Sequence, residues 1–487
     1  MSKFKEEWLS NIKGDLLAGI VVCMALIPEV IGFSIVAGVD PMVGVYSSFF
    51  MSLLTSIFGG RPGLISAAAG STALVLSSLV RNYGVEYLFA ATILAGVIQV
   101  ILGYLKFGNL MRFIPKPVMI GFVNALGILM FKSQLEHFEG PAVLLLLGAI
   151  GVLIIYLFPK ITKVIPSPIV SIIVVTIIVY LFNISIKNLG DMGRITNDLP
   201  KLSIPTIPFN FNTLMIILPY SISVAIVGIV ESLLTAQLVD ETTNTHSNKN
   251  RECLGQGLGN VACGFFGGIA GCGMIGQTII NINYGGRGRL STLTAGTTML
   301  FSIIILNKFV TQIPVVALAS VMVVVAISTF NWGSIKRITK VPKSDTITML
   351  ATVIVVLLTS NLAYGVVVGI LINSISFVSK ISNINIVRNN TNGNIKYEVK
   401  GQLFFASTTK FIDSFDYNEK VNSIDIDFSN GKVWDESAVD AIDKVVIKYH
   451  KNGVKANIIG LNDKSLNLIK DMATYDKPDG LDLDITH

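Results

Sequence analysis

The chain has 487 residues, 52% of them apolar and only 14% charged, against about 25% charged in a soluble domain. With a mean hydropathy of +0.66, it is not an ordinary cytosolic protein. The net charge of +6 is dispersed between apolar runs rather than gathered in a block, which speaks against nucleic acid as a partner.

A bilayer core takes about 20 apolar residues of helix. Candidate segments begin near Leu16, Val43, Leu88, Pro117, Val143, Ile169, Thr213, Leu290, Val310 and Thr346. Between them, Ser66 to Val80 and Gly273 to Ile282 are apolar but too short to span, and Glu252 to Ile269 is glycine-rich. The run from Thr346 to Val378 is long enough for two crossings interrupted near Asn361. About fourteen segments result, two of them half-length. The four cysteines, Cys23, Cys253, Cys263 and Cys272, lie in or beside apolar stretches without metal-ligand spacing and read as small packing residues.

Loops on one side hold Lys5, Lys13, Arg61, Lys106, Arg112, Lys116, Lys160, Lys163, Lys249, Arg251 and a group from Lys336 to Lys343. The other side holds Arg81, Lys132, Lys187, Arg194, Lys201 and Lys308. The positive-inside rule makes the first side cytoplasmic, and an even number of crossings puts both termini there, in the plasma membrane. Arg287 and Arg289 flank glycines at that boundary, where topology and lipid headgroups explain them. After Lys380 a polar stretch runs from Ser382 to Asn394. Strands are then expected at Ile395 to Val399, Leu403 to Phe405, Ile424 to Phe428 and Lys455 to Ile459, with helices at Ser437 to Tyr449 and Ser465 to Met472. The pattern divides the chain into a transmembrane domain over 1–385 and a small cytoplasmic α/β domain over 393–487.

Short, Gly-interrupted segments at matching places in two halves point to a transporter's binding site. Here they are Ile65 to Thr72 and Gly271 to Thr278. Each would begin a half-helix in mid-membrane, and two such ends make an anion site without a basic side chain. Close helix packing through small residues is the alternative. Glu29, after Pro28, and Glu231 are carboxylates inside apolar segments, where charge is costly and marks function. Thr235 shares a helix face with Glu231, so the pair can hold a Na⁺ or shuttle a proton. No nucleophile elbow, HExxH or P-loop occurs, and His137, His246, His450 and His487 are scattered, so the chain is not expected to be an enzyme and no cofactor is implied.

At these residues the chain resembles the SulP family of anion transporters. Gly14 to Ile20 with Ile27 to Glu29 and Ala37-Gly38 is similar to the family's opening signature, and Phe113 to Pro115 with Gly121-Phe122 to its fifth segment. The longest similarity runs from Glu231 to Thr235, then through Asn250 to Gly257, Gly267-Gly268 and Gly285-Gly286. The tail, through Leu403 to Phe405, Ile424 to Asp427 and Asp435 to Ser437, resembles a STAS domain. The resemblance implies a polytopic α-helical membrane protein of two inverted seven-segment repeats, a core and a gate, followed by a cytoplasmic STAS domain, and a homodimer. It implies substrate contacts at Glu29, Phe33, Ala69, Gly70, Ser71, Gly276 and Gln277, and a coupling ion, H⁺ or Na⁺, at Glu231 and Thr235. Glu29, Ala69 and Gln277 depart from the Gln, Thr and Arg more usual in the family, which leaves the substrate open. The expected activity is secondary active transport of an inorganic anion, sulfate or bicarbonate, by cation-coupled symport. A dicarboxylate or other organic-anion carrier, or a membrane anion sensor signalling through the tail, are the alternatives. Ser437 either caps the helix it opens or is a phosphorylatable regulatory position.

Overall fold

A computed structural model describes residues 3–109, 114–162, 165–193, 195, 198–391, 394–475 and 477. Arg112, Phe113, Lys163, Arg194 and His487, used above, lie outside the described residues. The chain divides into two units, Met1–Ile370 and Leu371–His487.

The first unit opens with α1 (Lys3–Leu9), α2 (Ile12–Ala37), α3 (Pro41–Phe58), the short strand β1 (Ser66–Ala68) and α4 (Gly70–Tyr83). Then come α5 (Val85–Tyr104), α6 (Lys116–Gln134), α7 (Ala142–Leu157), α8 (Ser167–Leu181) and the short α9 (Leu189–Met192). The second half repeats the plan with α10 (Phe211–Thr243), α11 (Lys249–Phe265), β2 (Gly271–Gly273), α12 (Ile275–Asn283) and α13 (Arg289–Ile305). It ends with α14 (Asn307–Val310), α15 (Val315–Thr329), α16 (Trp332–Arg337), α17 (Lys343–Thr359) and α18 (Leu362–Ile381), the last running across the division at Ile370. Among the described residues, eight helices are long and apolar enough to cross a membrane unaided. The glycine-rich α11 and the half-length α4 and α12 are not among them.

The two repeats exchange contacts reciprocally. Helix α2 packs on α13 as α10 packs on α5, and α3 on α13 as α11 on α5. In the gate, α6 packs on α17 as α15 packs on α7, and α6 and α15 meet each other. Glycine sets the closest of these approaches. A Cβ at Gly96 would lie 2.6 Å from the Gly257 carbonyl oxygen, and one at Gly257 would lie 2.7 Å from that of Gly96, so α5 and α11 touch backbone to backbone. The break expected near Asn361 falls at Ser360, whose left-handed φ of 51° ends α17.

The second unit contains β3 (Asn385–Thr391), β4 (Asn394–Leu403), α19 (Thr408–Asp413), β5 (Ser423–Val433), α20 (Glu436–Lys451), β6 (Lys455–Ile459) and α21 (Asp463–Met472). Its sheet has the order β3-β4-β5-β6, with β3 antiparallel to β4 and the other pairs parallel. Tyr397, Phe411, Phe428 and Tyr449 fill its core. Two local expectations change. The polar stretch from Ser382 supplies β3, an edge strand paired along its length with β4, with Ile386 packed against the core and Asn385, Arg388 and Asn390 exposed. No separate strand forms at Leu403 to Phe405, because β4 stops at Leu403 and the Ser407 hydroxyl accepts the Phe404 N–H at 3.0 Å, turning the chain into α19.

Candidate functional site

The site is built where the two broken segments cross. β1 and β2 pair antiparallel, Ser66 with Gly273, Ala67 with Cys272 and Ala68 with Gly271. Each strand then runs straight into a helix, α4 from Gly70 and α12 from Ile275. The residues before them, Ala69 and Met274, give no side-chain cap. The first-turn N–H groups of both helices thus lack helical acceptors and carry the positive end of the dipole.

Side chains reach across the pseudo-symmetry to hold this crossing. Thr72 donates to the Ala270 carbonyl at 2.6 Å, and the Thr278 hydroxyl accepts the Ile65 N–H at 3.0 Å. Asn260, fully buried, accepts the Gly271 N–H at 2.7 Å and donates to Gln99 at 2.8 Å. Ser232 accepts the Gly273 N–H at 2.8 Å. Strand backbone in mid-membrane is tolerable only when satisfied in this way.

Beside the crossing is a cavity of about 420 Å³. Glu29 and Phe33 from α2, Ala69 and Gly70, Glu231 from α10, and Gly276 and Gln277 line it, so most residues the resemblance pointed to meet around one space. Pro28 withdraws a helix N–H one residue before Glu29, and the Glu29 carboxyl and the Gln277 amide interact. The Ser71 hydroxyl does not line the cavity but donates to Glu231 Oε2. Cys272 Sγ donates to the same oxygen at 3.2 Å. Thr235 lies one turn beyond, its hydroxyl directed at the carbonyls of Glu231, 2.8 Å, and Gly273, 3.0 Å. No Lys or Arg is among the lining residues. On this wall the polar groups offered to a ligand are therefore backbone N–H groups, an amide and two carboxylates.

The opposite wall comes from α6 and α15: Phe122, Val123, Leu126, Met130 and Val325, with Ser328 and Thr329. Sequence reasoning missed it, because apolar residues in a span read alike whether they face lipid or a cavity. Cys272 was legible only as packing, since its approach to Glu231 depends on the β1–β2 register. Arg289 corrects the headgroup reading. Only 2% exposed, it donates from Nε to Glu7 at 2.6 Å and from Nη1 to the Ser56 carbonyl at 2.8 Å. Its neighbour Arg287 gives its backbone N–H to buried Asp15 at 2.8 Å. In the second unit Ser437 is exposed in the first turn of α20, and the cap is Asp435, whose side chain accepts the Ala438 N–H at 3.0 Å, so Ser437 is not the capping residue.

The family model described as the sulfate permease family matches residues 12–144 and 141–352. The chain is 52% identical over 471 residues to a protein of Bacillus subtilis named putative sulfate transporter YbaR, covering 96% of this chain and 98% of that one. It is 28% identical over 410 residues to the bicarbonate transporter BicA of a Picosynechococcus species, covering 77% and 71%. Among solved structures, the transmembrane domain of a cyanobacterial BicA superposes with a TM-score of 0.66 at 28% identity, over 75% of this chain and 98% of that one. The overall structure of SLC26A9 superposes with a TM-score of 0.81 over 96% of this chain and 87% of that one, at 18% identity, a likeness of fold.

Proposed function

This chain belongs to the sulfate permease family, whose members are membrane transporters and not enzymes, and from that premise we propose that it carries an inorganic anion, sulfate or bicarbonate, by alternating access coupled to H⁺ or Na⁺. The observation that carries this reading is the convergence of two uncapped half-helix N-termini and two carboxylates on one cavity. The helix ends attract an anion. Glu29 and Glu231 repel it by Coulomb's law unless a cation arrives with it, so a proton or Na⁺ at Glu231 gives anion entry its coupling.

In this reading Thr235 shapes the coupling site through its bonds to the carbonyls of Glu231 and Gly273 rather than as a free ligand. The protein works as a homodimer in the plasma membrane with both termini cytoplasmic. Its transport domain covers 1–385, and the domain over 393–487 regulates or assembles it, with exposed Ser437 a position where phosphate would meet a helix N-terminus.

The test is uptake into proteoliposomes of sulfate, bicarbonate and fumarate under imposed pH or Na⁺ gradients. Accumulation of sulfate or bicarbonate only with an inward cation gradient is expected. Flux indifferent to both gradients refutes the coupling, and uptake of fumarate alone moves the substrate to dicarboxylates.

A further inference from the structure

One end of the gate carries a basic surface that the transport site does not use. A pocket of about 170 Å³ opens there between the start of α6, α16 and the start of α17. Lys116 and Arg337 stand in its lining above an apolar floor that includes Ile120, Ile338 and Met349. Lys336, Lys340 and Lys343 are exposed within the same short stretch of chain. The carboxylate in the lining is Asp345, whose Oδ1 accepts a bond from Ser344 at 3.1 Å, so two cations line the pocket with one acid, and three more lysines are exposed in the adjoining stretch of chain. Beside them Trp332 and Ile335 project outward, 55% and 51% exposed. An indole and an aliphatic side chain next to lysines at the end of spanning helices is the composition of a membrane interface.

We propose that this pocket binds an anionic phospholipid, with the phosphate held by Lys116 and Arg337 and the acyl portion against the apolar floor. Charge selects the headgroup, because Arg presents a fork of donors matched to phosphate oxygens. The apolar floor selects a lipid over a free anion, which gains nothing from it. A volume of 170 Å³ takes a headgroup phosphate and the carbons next to it, with the chains beyond in the bilayer, and does not seat a helix about 10 Å across.

The position gives the lipid leverage. Helix α6 carries Phe122 and Met130 of the cavity wall, and α15, which supplies Val325, leads into α16. Asn124 of α6 donates to Ser334 at 2.9 Å and accepts the Asn331 N–H at 2.8 Å, so α6 is already tied to α16. A lipid spanning Lys116 and Arg337 adds a second tie between the same helices and holds the gate wall together as one body.

The experiment measures thermal unfolding and lipid retention of the full-length protein, using phosphatidylglycerol, phosphatidylcholine and inorganic phosphate as separate probes. Phosphatidylglycerol is expected to raise the Tm and to remain bound in native mass spectrometry, and the other two to do neither. A Lys116→Gln, Arg337→Gln double variant should bind phosphatidylglycerol about thirtyfold more weakly, the loss of about 1 kcal/mol for each cation near an anionic surface. A Lys187→Gln, Lys308→Gln control with the same net charge should bind as the wild type does. Equal stabilisation by inorganic phosphate overturns the lipid, and equal stabilisation by phosphatidylcholine overturns the role of charge. Wild-type retention in the double variant overturns the location. The comparison of the three probes on the wild type stands even if that variant does not fold.

Discussion

The two walls of the cavity are made differently. The core wall, from α2, α4, α10 and α12, is pinned by hydrogen bonds that cross between repeats, joining Thr72, Thr278 and Asn260 with Ala270, Ile65 and Gln99, and by bonds within the second repeat that join Asn260 and Ser232 with the β2 backbone. The gate wall is apolar, and its two hydroxyls, Ser328 and Thr329, donate to their own helix at the Val325 carbonyl, 2.9 and 2.8 Å away. Directional bonds fix donors at defined points, whereas an apolar surface offers no preferred register. In the proposed alternating-access cycle, recognition falls to the core wall, and the gate wall is the surface along which the core slides.

The strongest way to break this contrast is Glu231→Gln. The amide keeps an oxygen to accept from Ser71 and Cys272 but carries no charge to hold a cation. Gradient-driven accumulation in proteoliposomes should fall to the level of empty liposomes while the protein stays folded; accumulation at the wild-type level removes Glu231 from coupling. Next is Gln277→Arg. Alone it should change anion affinity little, because the new guanidinium meets Glu29 first. With Glu29→Gln it should tighten binding about tenfold at low salt, as expected of a bond to a charged group worth about 1.5 kcal/mol, measurable by calorimetry. Identical affinities for the single and double variants would show that these side chains do not share the site.

Smaller effects separate the two half-helices from each other. A Cβ on Gly70 would lie 2.8 Å from the Phe33 ring, whereas one on Gly276 meets nothing within 4 Å. Gly70→Ala should cost about 1–3 kcal/mol, the range of overpacking, read as a lowered Tm, and Gly276→Ala should leave the Tm unchanged. Equal losses would mean that the half-helix ends are not distinguished by Phe33. On the gate wall, Met130→Leu, a swap that conserves volume, should cost less than about 1.5 kcal/mol and leave anion affinity as it is. A large loss of affinity there would place recognition on both walls.

Much of the core wall was legible in the sequence, because its signals are violations: glycines interrupting apolar segments at Gly70 and Gly276, and carboxylates at Glu29 and Glu231 where charge is costly. The segment count followed from the lengths of the apolar runs, and the inverted repeats were implied by the family resemblance. The gate wall obeys every rule of an ordinary span, so Phe122 and Met130 gave no signal. Arg289 and Asp15 were opaque for another reason. Their partners, Glu7 with the Ser56 carbonyl and the N–H groups of Arg287 and Gly288, are distant in sequence and partly backbone, which no side-chain pattern reports. β3 was lost because only two of its residues, Ile386 and Val387, are apolar, too few to show a period among Asn385, Arg388, Asn389, Asn390 and Thr391.

The pairing of β1 with β2 bears on how the protein is made. Ala67 bonds across to Cys272, which the ribosome adds about 200 residues later. At about 5–20 residues per second, roughly 10–40 s pass between the two strands. For that interval the first half lies in the bilayer with its broken segment's backbone groups unmated, each costing several kcal/mol in hydrocarbon. The first repeat therefore reaches its finished shape only after the second has been threaded in beside it, and a chain stalled between the halves presents quality control with polar backbone in the midst of lipid.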